Sequence, residues 1–299
     1  MSVSTLLVTG ANGSTGFAAV QALSGGGHTI RALVHRDDER ADRLRELGAQ
    51  IVEGDLLDID SVHAALDGVS AAYFVYPVQP GLIDATAYFA QAATETGVQA
   101  IVNLSQRTAR RDSGSHAARD HWIAERVFDW SGVPVTHLRP TLFAEWLLYD
   151  FARQGVIDHD VLALPFGDGQ FAPLAAADQG RVIAAILSDP SPHAGKTYFL
   201  NGLTVMNGEQ IAAALGEGIG RPIRYVPVPI RDFQAAVTAI PRLSTFFAQH
   251  IGAVVDDLTS GKLAGNSNTV EDITGTAPMS VQEFARSHRD GFAQANGPL

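Results

Sequence analysis

The chain of 299 residues contains no cysteine, which excludes disulfides, thiol nucleophiles and cysteine-bound metals. No H-E-x-x-H spacing occurs among its histidines, so the sequence carries no recognisable metal motif. No apolar run reaches the roughly 18 residues that a membrane-spanning helix needs. Only Met1-Ser2-Val3-Ser4 precedes the first apolar run, without a basic segment, apolar core or cleavage signal, and a soluble cytoplasmic protein is expected. Positive charge is scarce as well. Lys and Arg number 21 against 32 Asp and Glu, a net charge of −11, and Lys196 and Lys262 are the only lysines. Such a balance repels nucleic acid and anionic membranes on average. The expected partner is a small aromatic molecule, and a monomer or homodimer is expected. With 46% hydrophobic and 18% charged residues, the composition is that of a folded globular chain.

What is present begins with Gly10-Ala11-Asn12-Gly13-Ser14-Thr15-Gly16. The apolar Leu6-Leu7-Val8 precedes it and a helical spacing of Phe17, Val20 and Leu23 follows, so the glycines occupy a strand-to-helix turn. Glycine lets backbone approach a ligand closely, and the first amides of a helix, lacking intrahelical partners, point at any anion placed there. A glycine triplet by itself reads as an ordinary turn. Its place at the first strand, first turn and first helix of an alternating β/α chain makes it a site for a dinucleotide pyrophosphate. The assigned contacts are Gly10, Asn12, Gly13, Ser14, Thr15 and Gly16.

Strands are expected at 28–34, 50–53, 71–75, 100–104 and 133–138, with helices between them, and five βα units in succession imply a doubly wound parallel sheet. The second strand runs into His35-Arg36-Asp37. Arg36 stands 20 residues after Gly16, where a carboxylate would receive the ribose of NAD and a guanidinium suits the 2′-phosphate of NADP. NADP(H) is therefore favoured, and NAD(H) stays open through Asp37. Asp55 and Leu56, after the third strand, are placed beside the adenine, although Asp55 equally suits a helix cap. Tyr76-Pro77 and Ser105-Gln106 end the fourth and fifth strands on the carboxyl edge where open sheets bind ligands. Residues 107–115 read as a mobile surface loop, or alternatively as a lid or an arginine contact to an anionic ligand.

A helix from His116 carries His121, Trp122 and Glu125, with Trp122 assigned to the core. Beyond Pro140 the alternation fails. Phe143, Trp146 and Tyr149 form an apolar pocket wall or plain core. Helices are expected at 178–187 with Asp178 as cap, 207–215 with Asn207 as cap, 230–239 and 245–258, strands at 197–200 and 223–226, a turn at 273–275 and a capped helix at 280–288. The expected architecture is α/β: a nucleotide-binding part over 1–140 and a smaller α+β substrate lobe over 141–299, partly integrated with the sheet.

Val8-Thr9-Gly10 through Gly16, Arg36, Gly54-Asp55-Leu56, Leu104-Ser105, Glu125 ahead of Ser131-Gly132-Val133, Leu138-Arg139-Pro140-Thr141 and Thr274-Gly275 with Phe284 resemble the atypical short-chain dehydrogenase/reductases of the NmrA-like type. The resemblance spans nearly the whole chain. It implies a Rossmann-type sheet, NAD(P) across the strand ends and a substrate pocket closed by the C-terminal lobe. Members include quinone and aromatic-substrate reductases and redox-sensing regulators that bind the nucleotide without turnover.

One departure matters. Standard short-chain reductases of the wider family use Tyr-x-x-x-Lys, the tyrosine passing a proton to the substrate, and no such pair occurs here. Matching Glu125 to the family's glutamate puts His121 on the lysine position and Ala117 on the tyrosine position, while Ser105 matches the serine after strand five. His121 is then a ribose ligand, an acid/base or a plain helix-surface histidine. The reading that results is an oxidoreductase acting on an aromatic, quinone-like or polyketide molecule, with Ser105 and His121 catalytic and Gln106, Phe143, Trp146 and Tyr149 touching substrate. The alternatives are a nucleotide-sensing regulator and a tailoring oxygenase on the same fold.

Overall fold

A computed structural model describes residues 4–240 and 244–293. Strand β1 (Thr5–Val8) buries Leu6 and Val8 on one face and Leu7 on the other, as a strand covered on both sides must. There follow α1 (Ser14–Leu23), β2 (Thr29–Val34), α2 (Glu39–Glu46), β3 (Gln50–Glu53), α3 (Ile59–Leu66), β4 (Ala71–Phe74), α4 (Leu82–Thr96), β5 (Ala100–Leu104), α5 (His116–Trp130) and β6 (Val135–Pro140). The sixth strand thus starts two residues later than the sequence reading placed it, and runs through Arg139-Pro140.

The second half adds a 3-10 turn at Ala144–Leu148, then α6 (Asp150–His159), β7 (Val161–Leu164), α7 (Ala176–Ser188), β8 (Thr197–Leu200), α8 (Gly208–Ile219), β9 (Arg224–Pro227), α9 (Ile230–Thr238), α10 (Thr245–Thr259), α11 (Thr269–Thr274) and α12 (Val281–Ser287). The main sheet has seven parallel strands in the order β3-β2-β1-β4-β5-β6-β8, and β7 pairs in parallel with β9 in a small second sheet. The order reverses between β1 and β4, which opens a crevice at their carboxyl ends.

Three apolar cores hold these layers. Leu6, Val8, Val20 and Ile183 fill the space between the sheet and α1 with α7. On the other face Phe74, Phe89 and Phe128 meet as a cluster of tilted and edge-on rings. The third core, with Val156, Leu162, Leu164, Leu215, Ile251 and Phe284, belongs to the second half of the chain. The halves interlock, because β8 returns to the main sheet beside β6 and α7 lies on α1. At that crossing a Cβ on Gly180 would stand 2.4 Å from the backbone of Ala18, so only glycine permits the approach.

Several local expectations change. Asp178 is no cap: the helix starts at Ala176, and the buried Asp178 carboxylate accepts the Met279 N–H at 2.9 Å and pairs with Arg181 at 2.6 Å. Asp55 is no helix cap either. It accepts the Leu57 N–H in a turn, and Asp58 caps α3. Residues 269–274 are helical where a turn was expected, and α6 and β7 had no counterpart in the sequence reading. Gly155 obscured α6, since glycine is a poor helix former, yet a Cβ there would strike the Val161 carbonyl at 2.7 Å. Asn207 and Ser280 cap α8 and α12, each in a full capping box.

Candidate nucleotide and substrate site

The glycine turn joins β1 to α1 with Gly10 at φ +55° and Gly13 at the cap position, and the Gly13 N–H donates to the Gly10 carbonyl at 2.8 Å. The first helical bond is the Phe17 N–H onto Gly13. The amides of Ser14, Thr15 and Gly16 therefore have no acceptor among the described residues, and no acidic residue stands in the first turn to neutralise them. A Cβ on Gly16 would lie 2.3 Å from the Gly10 carbonyl oxygen, which explains the glycine there by packing within the turn. Asn12 Oδ1 is enclosed without a partner. Thr15 is buried and receives the Tyr73 hydroxyl at 3.0 Å. Free amides, an orphaned polar atom and a glycine cradle fit a dinucleotide diphosphate.

At the next strand end His35, Arg36 and Asp37 are exposed. Asp37 is engaged by Arg45, and Asp38 caps α2 while pairing with Arg40 at 2.7 Å. Arg36 closes no ion pair with a described residue, and its guanidinium stands open beside the exposed His35. Asp55 is exposed and Leu56 half-buried on the same edge of the sheet.

A cavity of about 250 Å³ lies at the carboxyl ends of β4, β5 and β6. Thr15 of the glycine turn, Tyr76 and Pro77 after β4, and Ser105 and Gln106 after β5 line it. So do His121 of α5, Phe143, Trp146 and Tyr149, which puts every residue expected to touch substrate on one wall or another. Tyr76 is largely spoken for, its hydroxyl donating to the Pro80 carbonyl at 3.2 Å. Gln106 Oε1 receives the Thr108 hydroxyl, while its amide nitrogen is enclosed without an acceptor. Glu145 fixes the aromatic segment by accepting the Ala176 N–H at 2.8 Å.

Ser105 and His121 are buried beside Glu125 at the polar end. Burial alone would raise the Glu125 carboxyl, but the Arg139 guanidinium, with the Ser105 hydroxyl beside it, holds it below its ordinary value. Burial drives the His121 imidazole down to about 4, assisted by His250, and its Nδ1 is enclosed without a partner. That ring is neutral at physiological pH, and the plain surface reading of His121 does not hold, because it is only 7% exposed. Ala117 is also buried. Trp122 is half-buried outside the three cores, contrary to its assignment, and His116 is exposed at the start of α5.

The sequence reading missed the roof. Phe247, His250 and Val254 of α10, together with Leu263, close the cavity from above. Residues 107–115 are fastened to that roof and are no loose surface loop. Arg110 binds Asp257 through two bonds of 2.7 and 2.8 Å, Ser115 meets His250 at 2.8 Å, and Gln249 bonds both Gly114 and His116. Arg107 lines the cavity, with its guanidinium 4.5 Å over the Phe199 ring. The only signal for His250 in sequence was its place on the apolar face of a helical pattern. No group of three or more His, Asp or Glu among the described residues could hold a metal, and no described helix is long and apolar enough to cross a membrane.

The model of the NmrA-like family matches residues 2–278. An NAD(P)H azoreductase of Xenophilus azovorans is 29% identical over 292 residues, covering 97% of this chain and all of its own. The structure of the NADPH-dependent quinone oxidoreductase QOR2 of Escherichia coli, complexed with NADPH, superposes with a TM-score of 0.80 at 26% identity, over 95% of this chain and 99% of that one. NmrA, a negative transcriptional regulator solved with NADP, shares the fold at a TM-score of 0.81 and 19% identity, over 100% of this chain and 99% of its own.

Proposed function

Because this chain belongs to the NmrA-like family, we propose that it is an NAD(P)H-dependent oxidoreductase that reduces a planar aromatic, quinone-like molecule, with NADP(H) preferred. One observation carries the reading: Thr15 of the glycine turn and the aromatic Phe143 and Trp146 of the far lobe line the same cavity. The nucleotide-binding surface and the apolar chamber are thus continuous, with residues 1–140 serving the first and residues 141–299 closing the second. The named activities of the azoreductase and the quinone oxidoreductase support the same choice of chemistry.

In this mechanism the amides of Ser14, Thr15 and Gly16 hold the diphosphate with Gly10, Asn12 and Gly13, and Arg36 binds the 2′-phosphate beside His35. Asp55, Leu56, Tyr76 and Pro77 border the nucleotide along the strand ends. When bound, the nicotinamide supplies a hydride. Phe143, Trp146 and Tyr149 keep water from the acceptor and stack against it, while Gln106 and the buried Ser105 and His121 supply its polar contacts. His121, neutral because burial depresses its pKa, donates a hydrogen bond and not a proton. A quinone tolerates that, since charge arriving with the hydride spreads over the ring and a tyrosine acid is dispensable.

The test is oxidation of NADPH against a panel of quinones, azo compounds and polycyclic aromatics, with and without oxygen. Turnover of at least one quinone or azo acceptor is expected. Tight binding of NADP(H) with no oxidation on any member would replace this reading with that of a nucleotide sensor.

A further inference from the structure

Helix α10 carries a second imidazole to the cavity wall. His250 is 7% exposed, as is His121, and both rings line the cavity. Ser115, fully buried at the cap of α5, accepts the Ala118 N–H at 3.0 Å, and its oxygen lies 2.8 Å from His250 Nδ1. The single hydroxyl proton has no other acceptor among the described residues. It is therefore donated to Nδ1, which leaves the His250 ring proton on Nε2. His121 Nδ1 is enclosed without a partner, and since a buried N–H without an acceptor is the rarer defect, its proton also sits on Nε2. Neither Nε2 closes a hydrogen bond with a described residue. Burial pushes both rings down to about 4, so each is a neutral N–H donor at physiological pH.

We propose that His121 and His250 form a two-donor oxyanion site whose Nε2–H groups bind the oxygen of a phenolate or enolate generated from a conjugated carbonyl. The proposal rests on the reductase reading above and narrows its substrate to carbonyl and quinone acceptors. As the hydride's electron pair forms the new bond on the acceptor, the carbon–oxygen π pair moves onto oxygen, and that oxygen is what the two donors stabilise. The proton completing the reduction comes from water at the cavity mouth, because a neutral imidazole polarises an oxygen without protonating it. Two fixed donors thereby take the place of the tyrosine that Ala117 replaces.

The probe is 4-nitrophenol, whose anion is read by its absorption, titrated on the protein saturated with NADP and on the protein alone. Bound nitrophenol should ionise about one pH unit below its value in solution, a tenfold preference for the anion. His250→Leu and His121→Leu should each remove much of that shift, and His250→Gln, which retains an N–H donor, should keep part of it. Ser115→Ala, which releases the ring proton from Nε2, should lose part and serves where a leucine variant does not fold. Failure of nitrophenol to bind, ionisation at or above the solution value, or a shift that survives both leucine variants overturns the proposal. So does a shift abolished by Arg107→Met alone, which would assign it to the nearby guanidinium. Quinone turnover is scored separately: a retained shift without turnover rejects the reductase reading only, and turnover without the shift rejects the oxyanion site only.

Discussion

Glu125 and Arg139 form a bidentate ion pair that ties α5 to the end of β6. Arg139 Nε donates to one carboxylate oxygen at 2.8 Å and its terminal nitrogen to the other. Glu125 has no exposed surface, and the Arg139 side chain is 17% exposed. The pair lies below the cavity's polar end and holds in register the helix that carries His121 and the strand that leads into Pro140 and Thr141.

Removing Arg139 leaves the enclosed Glu125 carboxylate with only the longer ion pair to Arg126 at 3.6 Å, which costs far more than the Glu125–Arg139 pair contributes. Arg139→Met should lower unfolding free energy by about 3–5 kcal/mol, and the double variant Glu125→Leu with Arg139→Met should recover a large part of it. Urea unfolding of the three proteins measures both. Equal stability of the single and double variants would show that the buried carboxylate is not the source of the loss.

Arg36 is the open cation at the end of β2, with Asp37 and Asp38 already engaged by Arg45 and Arg40. Arg36→Glu should weaken NADPH binding by about 10-fold to 100-fold, the range of a charge-assisted bond to phosphate, while leaving NADH affinity nearly unchanged. Calorimetric titration with both nucleotides reads the ratio, and unchanged NADPH affinity would remove the phosphate assignment.

Two glycines separate packing from conformation. A Cβ on Gly16 meets backbone at 2.3 Å, whereas Gly25 has φ +78° and nothing within 4 Å. Gly16→Ala should abolish nucleotide binding or folding. Gly25→Ala should cost only about 1–2 kcal/mol of backbone strain and leave binding intact. Melting curves with and without NADPH distinguish the two, and a Gly16→Ala protein that binds normally would contradict the packed turn.

Acid should destabilise the fold through its two cavity histidines. Both have folded pKa values of about 4 against an ordinary 6.5, so the unfolded chain binds more protons between those limits. Their contribution is complete above pH 6.5 and is lost as pH falls toward 4, at up to about 1.4 kcal/mol per pH unit for each ring. The double variant His121→Leu with His250→Leu should flatten that limb of the stability curve, measured by urea unfolding at stepped pH. An unchanged slope would show that these rings are not held neutral by burial.

Local rules settled much of this protein. Strand period, glycine at the first βα turn and short polar caps at Asn207 and Ser280 depend on neighbours a few residues apart, so the parallel sheet and the strand-to-helix glycine turn were legible in the chain. That Ser105, His121, Phe143 and Trp146 gather around one cavity was legible for a related reason: open α/β sheets form their crevice at strand ends, and these residues follow strand ends or face them. Local rules misjudged Asp178, whose partner Met279 lies 101 residues away, and hid α6 behind a glycine that only a close helix–strand contact demands. Tertiary structure alone decided that Ser115 meets His250 across 135 residues and that Arg110 meets Asp257 across 147. Such pairs form only when burial removes water as a competing partner, and no short stretch of sequence encodes which distant group will be enclosed beside it.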